Sequence, residues 1–500
     1  MVSRSSACRH SPGPARLLTL LAAAILVAMP LLALAFTAAR AEDTCTPETC
    51  CERYNSFTED RNIAVTGLGS LARRCESAAS LVTIAEDAKP CQHPEYWPFS
   101  VVSERYPLVV HYRRPDERAM AMNVIKYADT AWKFEVDTLG FSAPLPDDGY
   151  CGQDGRFDIF LWRGRQSCWV DEIAGAPSSA WGGRMSYMSL DPWGRNGREI
   201  LRTTIGHEFN HASQAADNWS VPQSMMEMSA TYVEQSFGDA LLYNVRDFQG
   251  HPEYAVLWLD LDKQENMSTY HMYGAGLYLY FLRDRYFQDD KAFLSRFWKD
   301  ARNRAYPAQN PDTIVDVFDR LLAPAGSTFL QSMQEFARWR YYAGTRDDGS
   351  HFRVWPVPFD QLPFLSESDV RLDGTVVLNG AGVEYTVKRQ PMLLGSAYVE
   401  IAGKPGDRFF NLSMKSPAPA GMYWHVQAVP GVAAGEDGET VDLASGRARL
   451  ALLPSKDGAR RTLIFTLMPD GHTLYDPAKQ DNVQKFPFFN TYPLQIALAP

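Results

Sequence analysis

The sequence predicts an α+β protein with a mixed helix–strand part at residues 101–360 and an all-β sandwich at residues 366–500. In the first part, short apolar strands precede a series of amphipathic helices, which indicates a sheet covered by helices. After residue 365, short β-like runs recur with turns between them, which is typical of a sandwich. Hydrophobic residues make up 45% of the chain, so the composition favours a globular protein over a disordered one.

The N-terminus is typical of an export signal. Arginines precede an apolar run from Leu17 to Phe36, and Ala39 and Ala41 provide the small residues of a cleavage site. We therefore predict a signal peptide at residues 1–41 and a secreted or periplasmic mature protein. An uncleaved anchor is the alternative, because the run is about as long as a membrane span requires. A proline within the run and the cleavage site favour cleavage, and no later segment is apolar enough to span a bilayer.

The charge balance argues against a nucleic-acid partner. The chain has 49 basic and 59 acidic residues, and the predicted signal peptide removes four arginines and no acid. Phosphate backbones attract lysine and arginine, and no basic patch interleaved with aromatic residues is present.

Cysteine usage agrees with export. Residues 42–100 form a cysteine-rich segment that we expect to be tied by disulfides. Cys151 and Cys168 flank the apolar run at 156–162 and are the first expected pair. Metal binding by the other cysteines is the alternative, but the paired CxxC spacing of a zinc site is missing.

Strands and helices are predicted in order along the mixed part. A strand at 106–112 is followed by a helix from Pro115 to Gly140, since proline suits a first helical turn and glycine a C-terminal cap. Two more strands are predicted at 156–162 and 184–191. Helices are predicted at 198–217, 221–237, 273–287, 291–303, 312–323 and 327–342. The β-like runs of the sandwich are 375–380, 384–388, 396–403, 408–416, 422–429, 447–453, 462–468 and 492–499.

The stretch TTIGHEFNHASQAAD, residues 203–217, places His207 and His211 four residues apart. On a helix these side chains share one face, with Cβ atoms about 5–6 Å apart, so two imidazoles can bind one metal ion. Glu208 is rotated off that face but remains adjacent, where a carboxylate can act as general base. Two ordinary histidines, in the core or in solvent, are the alternative.

A catalytic zinc site needs a third protein ligand, and three carboxylates are candidates. Asp217 lies six residues beyond His211, and an unbroken helix carries it about 9 Å along the axis. Glu227 and Glu234 lie about 10 Å apart on the next helix, so only one can reach the same ion. We expect Glu227 to be the ligand and Glu234 to support a ligating histidine, with a surface carboxylate as the alternative for Glu234.

Two further sites are suggested less directly. Zinc enzymes often stabilise a developing oxyanion with a Tyr or His from outside the metal motif, and Tyr270, His271 and Tyr273 are candidates, with Tyr273 preferred. Aromatic core residues are the alternative. The loop PDDGYCGQDGRFD contains four aspartates of calcium-binding type but lacks the twelve-residue spacing of an EF-hand, so a solvated turn is favoured. These aspartates are Asp147, Asp148, Asp154 and Asp158.

HEFNH, followed on a second helix by MEMSATYVE, resembles the gluzincin metallopeptidases. The wider order of LGFSAPLPDD, RFDIFL, SYMSLD, YGAGLY and LGSAYVEI is similar to a family of secreted bacterial metalloprotease-like proteins. The resemblance covers residues 106–345 and, more weakly, the β region. It implies a zincin-like fold with His207, His211 and Glu227 as zinc ligands and Glu208 as base.

The expected function is a secreted zinc metalloendopeptidase that acts on a protein or peptide substrate. Strand 184–191 is expected to be the sheet edge that holds an extended substrate, because an edge offers free N–H and C=O groups. The alternative is a non-catalytic extracellular binding protein in which the sandwich attaches to a polymer and the HExxH part is a scaffold.

Overall fold

The computed structural model describes residues 90–152, 154–164, 168–193, 197–237, 242–257, 271–308, 312–352, 368–430, 438–443, 446–455, 458–471 and 490–500. Over these ranges the chain is a mixed α+β protein with several β-sheets. The predicted signal peptide at 1–41 and nearly all of the cysteine-rich segment lie outside the described residues.

The chain divides into two compact units, one of residues 1–88, 95–99 and 113–119 and one of 89–94, 100–112 and 120–500. Within the described part of the first unit, the Glu117 carboxylate accepts hydrogen bonds from the backbone N–H groups of Arg113 and Arg114 at 2.9 and 3.2 Å. This contact closes the short 3-10 turn Pro115–Glu117. The features below belong to the second unit, except for the first residue of the strand Phe99–Val102, the first two residues of the helix Arg118–Trp132, and the last two of the turn Pro94–Tyr96.

The mixed part contains a first set of strands and most of the described helices. Its strands are β1 Phe99–Val102, β2 Leu108–Tyr112, β3 Phe157–Leu161, β4 Trp169–Glu172 and β5 Ser186–Leu190. Its helices are α1 Arg118–Trp132, α2 Gly197–Asp217, α3 Gln223–Glu234, α4 Leu242–Gly250, α5 His271–Gly274, α6 Gly276–Tyr286, α7 Phe293–Asp300, α8 Ile314–Leu322 and α9 Phe329–Tyr341. A π-helical turn, Lys133–Thr138, continues α1, and short 3-10 turns lie at Pro90–Gln92, Pro94–Tyr96, Ala323–Ala325 and Gly344–Arg346.

The first sheet has the strand order β1-β2-β3-β5-β4, in which β2, β3 and β5 are parallel and β4 is antiparallel to β5. The prediction that strand 184–191 is an edge strand is therefore wrong, since β5 pairs with a neighbour on each side. The edge next to β5 is β4, a four-residue strand that is too short to show a clear alternation in the sequence, and the opposite edge is β1. Among the described residues, β4 pairs on one side only.

Helices α1 and α2 cover one face of this sheet, because the strands direct every second side chain toward them. The resulting core joins apolar residues of three strands to both helices. Its central members are Leu108, Val110, Ile159, Leu161, Met188 and Leu190 from the sheet, Ala121, Val124 and Ala128 from α1, and Ile205, Phe209 and Ala212 from α2. Helix α2 also packs beside β4, so the sheet edge lies next to the helix that carries the histidines.

The region after residue 370 forms two further sheets. Its strands are β6 Gly374–Val377, β7 Val383–Thr386, β8 Ser396–Gly403, β9 Phe409–Met414, β10 Met422–Val429, β11 Glu439–Thr440, β12 Arg447–Ala451, β13 Leu453–Ser455, β14 Gly458–Pro469 and β15 Gln495–Ala499. One sheet has the order β11-β10-β14-β8-β6 with β13 beside β14, and the other has the order β12-β9-β15-β7. Side chains from both sheets form one apolar core, which is the arrangement of a β-sandwich. Each predicted β-like run overlaps at least one of these strands.

The sandwich is not an appendage, because its backbone packs directly on the helical part. A Cβ atom on Gly395 would lie 1.9 Å from the carbonyl oxygen of Glu253, so only glycine permits this approach. The hydroxyl of Tyr398 donates to the carbonyl of Ala337 in α9 at 2.5 Å, and both groups are buried. Leu393, Leu394, Leu467 and Met468 join the core of the mixed part.

The disulfide prediction is wrong in its partner. Cys151 is bonded to Cys91, with Cα atoms 4.6 Å apart, and Cys168 is a free, half-buried thiol. The bond ties the turn at residue 91 to the loop before β3, across 60 residues of sequence.

Two aspartates of this segment, Asp147 and Asp158, are held by contacts within the protein. Asp147 accepts backbone hydrogen bonds from Gly149 and Cys151, both at 3.0 Å, and Asp158 lies 2.6 Å from His111 Nε2. Burial raises the pKa of Asp147 to about 7. The Cys151 sulfur near the carboxylates of Asp147 and Asp158 belongs to the disulfide, so it offers no thiolate. Asp147 and Asp158 are each 2% exposed, so the interpretation as a solvated turn is wrong for these two residues.

No helix in the described ranges combines the length and apolarity needed to cross a bilayer.

Candidate metal centre

The candidate centre is built by two antiparallel helices joined by a tight turn. Helix α2 ends at Asp217, and the carbonyl of the Asn218 side chain accepts from Ser220 N–H at 2.9 Å, which starts the reversal. Pro222 precedes the first turn of α3, where its fixed φ suits a helix start. The two helices then run side by side, so that residues 207 and 234 meet at one end of the pair and residues 214 and 226 at the other.

Three donor atoms converge between these helices. His207 Nε2 lies 3.1 Å from His211 Nε2, and Glu227 Oε2 lies 3.0 Å from the first and 3.4 Å from the second. Every donor atom of the set lies within 4.8 Å of the others. The side chains of the three residues are only 10–12% exposed, so they have little contact with bulk water. One ligand atom from each residue can therefore reach a single ion.

Glu234 lies on the far side of the same histidine. Its Oε2 is 2.7 Å from His207 Nδ1, while Glu227 faces His207 Nε2. The imidazole ring of His207 thus lies between the two carboxylates, which are seven residues apart on α3. A carboxylate accepts only, so it holds the proton of His207 on Nδ1 and leaves Nε2 for the ion.

In the metal-free cluster, the pKa values of the histidines and of Glu227 are shifted because these side chains are buried close together. Burial lowers the pKa of His207, but Glu234 and Glu227 raise it by more, so the net pKa lies well above that of an ordinary histidine. Burial likewise lowers the pKa of His211, and Glu227 raises it above its usual value. Burial raises the pKa of Glu227, yet His211 and His207 lower it well below the usual range. Positive charge is therefore stabilised here, as a cation site requires.

Glu208 is next to the donor set but does not belong to it. The side chain is 7% exposed, and its Oε2 is buried without a hydrogen-bond partner in the described structure. Burial raises its pKa, while His207 and His211 lower it. Buried polar atoms are nearly always paired, so an unpaired carboxylate oxygen needs an explanation. A water or substrate group held between Glu208 and the ion would provide it.

Asp217, the rival third ligand, is occupied elsewhere. Its Oδ1 accepts from Arg302 Nε at 2.8 Å and from Ser142 Oγ at 2.8 Å, and the side chain is fully buried. Trp181 stacks on the guanidinium of Arg302. The aspartate therefore fixes the C-terminal end of α2, and it lies outside the group of potential ligands.

Of the two candidate oxyanion donors that the structure describes, Tyr273 packs against the centre. Its ring centroid is 5.9 Å from that of His207, and the side chain is partly exposed. His271 is buried, contacts the carbonyl of Ala255 through Nε2 at 3.1 Å, and packs against Phe248. Burial lowers the pKa of His271 to about 3, so it is a neutral core residue. Tyr270 lies outside the described residues.

The close approach of the helices depends on Gly206. A Cβ atom there would lie 2.4 Å from the ring of Phe237, which follows α3. A side chain at position 206 would therefore have to displace the Phe237 ring, three residues beyond Glu234.

Sequence reasoning missed the residues behind His211. Gln214 contacts His211 Nδ1 at 2.9 Å. Asn210 contacts Gln214, and Glu135 from the π-helical turn contacts Asn210. The spacing from His211 to Gln214 on one helix face is the only signal for this contact in the sequence.

The donor set fits a transition metal of zinc type. Two imidazoles and one carboxylate with space for a fourth ligand are the protein contribution found in catalytic zinc sites, whereas calcium and magnesium prefer oxygen ligands alone. Comparison with protein-family models finds none that matches the chain, and comparison with curated protein sequences finds no match either.

Proposed function

We propose that the chain is an exported zinc-dependent endopeptidase with a gluzincin-type, zincin-like site. The observation that carries the proposal is the convergence of His207 Nε2, His211 Nε2 and Glu227 Oε2 beside the unpaired carboxylate of Glu208. Zinc, when bound by this set, supplies Lewis-acid chemistry that makes water more acidic and polarises a peptide carbonyl.

The residues of the chain then have distinct parts. Glu208 accepts the proton of the attacking water and returns it to the leaving amine, and burial makes it a stronger base for the first transfer by raising its pKa. Glu234 holds His207 in place through Nδ1. The Tyr273 hydroxyl, on the partly exposed side of His207, donates to the oxygen of the scissile carbonyl as charge develops.

Strand β4 supplies a binding surface for the substrate. It is half-buried, forms one edge of the sheet among the described strands, and packs beside α2. An extended peptide can add to such an edge through main-chain hydrogen bonds, which favours unfolded protein substrates of varied sequence. The apolar segment at the N-terminus supports export, which would bring the enzyme to extracellular or periplasmic proteins.

The test uses the full mature chain, because the helical part shares a buried core with the sandwich. We expect about one zinc per chain, hydrolysis of an unfolded protein, and loss of hydrolysis on chelation with recovery when zinc is restored. Glu208→Gln should abolish turnover and retain zinc, because Glu208 is not a ligand. Asp217→Asn is the matched control, since it neutralises another buried acid of α2 outside the centre.

Hydrolysis that persists in Glu208→Gln, or zinc that is lost from it, would overturn the role of this residue. A protein that binds zinc tightly but cleaves no peptide would favour the alternative of an extracellular binding protein.

A further inference from the structure

We propose that a buried hydrogen-bond chain from Trp298 to Gln214 positions His211 and determines which of its ring nitrogens carries the proton. Ser229 and Asn210 are the intermediate members. The inference rests on the proposed metal centre and extends it, because it assigns positioning residues that lie outside the zinc-binding motif.

The direction of the chain is set at Trp298, whose indole N–H can only donate. It donates to Ser229 Oγ at 2.9 Å. The hydroxyl of Ser229 therefore accepts at one side and donates its own hydrogen to Asn210 Oδ1 at 3.1 Å. This contact makes the oxygen of Asn210 an acceptor, and its amide nitrogen donates to Glu135 Oε2 at 2.9 Å.

The next amide is oriented from two sides. Gln214 Nε2 lies 2.6 Å from Asn210 Oδ1 and 3.0 Å from the backbone carbonyl of Met226. Both partners are acceptors, so both must be met by N–H groups, and an amide nitrogen has two of them. The nitrogen of Gln214 is thereby fully used, and its oxygen points the other way.

That oxygen lies 2.9 Å from His211 Nδ1. An amide oxygen can only accept, so Nδ1 must carry a proton, and in the neutral ring Nε2 then presents the lone pair. His211 Nε2 is the atom that faces His207 and Glu227. The hydrogen-bond chain thus selects, for the neutral ring, the tautomer that a metal ligand needs.

The Nδ1 atoms of the two histidines have hydrogen-bond partners of different charge. His207 has a carboxylate, Glu234, at Nδ1, whereas His211 has a neutral amide. Burial raises the pKa of Glu135 well above its usual value, which favours the uncharged acid at the end of the chain. Support for His211 therefore adds no negative charge behind the ligand. Asn210, Gln214, Ser229, Glu135 and Trp298 are all fully buried, so water cannot replace a missing member easily.

The test is the variant Gln214→Met, which keeps the side-chain length but removes acceptor and donors. Zinc affinity is measured by competition with a chromophoric chelator. We expect the zinc Kd to rise about 10- to 100-fold, the usual effect of losing a hydrogen-bond partner of a ligating histidine. Ser213→Ala is the matched control. Ser213 is equally buried on the same helix, its hydroxyl has no partner in the described structure, and its loss should leave Kd unchanged.

A second measurement does not depend on zinc binding or on peptidase activity. Nitrogen NMR of histidine-labelled, metal-free protein at alkaline pH reports which nitrogen of His211 is protonated. We expect the Nδ1–H form in the wild type and a shift toward the Nε2–H form, which histidine prefers in water, in Gln214→Met.

The outcomes separate the two proposals. If the wild-type protein fails to bind zinc while His211 shows the Nδ1–H form, the metal centre is refuted and the role of the hydrogen-bond chain is supported. If His211 is in the Nε2–H form in the metal-free wild type, the proposed role of the hydrogen-bond chain is overturned, regardless of the zinc affinity of the variants. An unchanged Kd in folded Gln214→Met also overturns it.

Discussion

The identity of the third ligand is the prediction with the sharpest structural basis. Three carboxylates compete in the sequence, and single neutralising variants separate them: Asp217→Asn, Glu227→Gln and Glu234→Gln. Only Glu227 has an oxygen near both imidazole Nε2 atoms, at 3.0 and 3.4 Å. We therefore expect a severe loss of zinc only in Glu227→Gln.

The other two variants should change different quantities: Glu234→Gln the zinc affinity, and Asp217→Asn the stability of the protein. Glu234→Gln leaves an oxygen that can accept from His207 Nδ1 but removes the charge, so we expect a Kd about 10- to 100-fold higher. This change equals about 1.4 to 2.7 kcal/mol of binding free energy. Asp217→Asn should leave zinc affinity intact and lower stability by about 1–3 kcal/mol, because a buried acceptor for Arg302 and Ser142 is weakened.

The assay is zinc content after dialysis against buffered free zinc, with urea unfolding of each variant as the stability measurement. Loss of zinc in Asp217→Asn with retention in Glu227→Gln would refute the reasoning. A metzincin-like set, with Asp217 in the third position, would then replace the gluzincin-type assignment.

Three further outcomes are expected. Gly206→Ala should lower both stability and zinc affinity, since the added methyl group displaces Phe237 and with it the end of α3; equal zinc affinity in a titration would contradict this. Cys168 should react slowly with a thiol reagent at pH 8 in the native protein and quickly in urea, because burial and the nearby Glu208 raise its pKa to about 12. The free energy of unfolding of the metal-free protein should fall as the pH drops from 6.5 toward 3, by up to about 1.4 kcal/mol per pH unit. The reason is that His271 is neutral in the folded protein, where its pKa is about 3, and takes up a proton on unfolding. Urea titrations of His271→Gln should show a shallower acid dependence, and an identical one would count against this assignment.

The edge strand has its own consequence for substrates. If β4 binds an extended peptide, methylation of main-chain N–H groups beside the scissile bond should raise KM, since each methyl group removes a donor to the edge. The same methylation at a distant peptide end is the control, and an equal effect at both positions would exclude the edge.

Local patterns in the sequence determined much of the centre. The four-residue spacing of His207 and His211 predicts a shared helix face, because that face follows from the helical repeat alone. Likewise, alternating apolar residues and turns predicted the strands of the sandwich, since the pleat of a strand is a local property. Both kinds of information lie within a few residues, so no tertiary contact is needed to read them.

The tertiary structure decided what depends on distant segments. Cys91 pairs with Cys151 because folding brings their Cα atoms to 4.6 Å across 60 residues, a distance that cysteine spacing does not encode. The antiparallel strand β4, rather than β5, became the sheet edge because strand order depends on how the chain crosses the sheet. Gln214 acquired its part only through Asn210 and the carbonyl of Met226, which α3 brings beside α2. Hydrogen bonds are short and directional, so the partner of a buried amide is determined by the packing of whole helices and not by its neighbours in sequence.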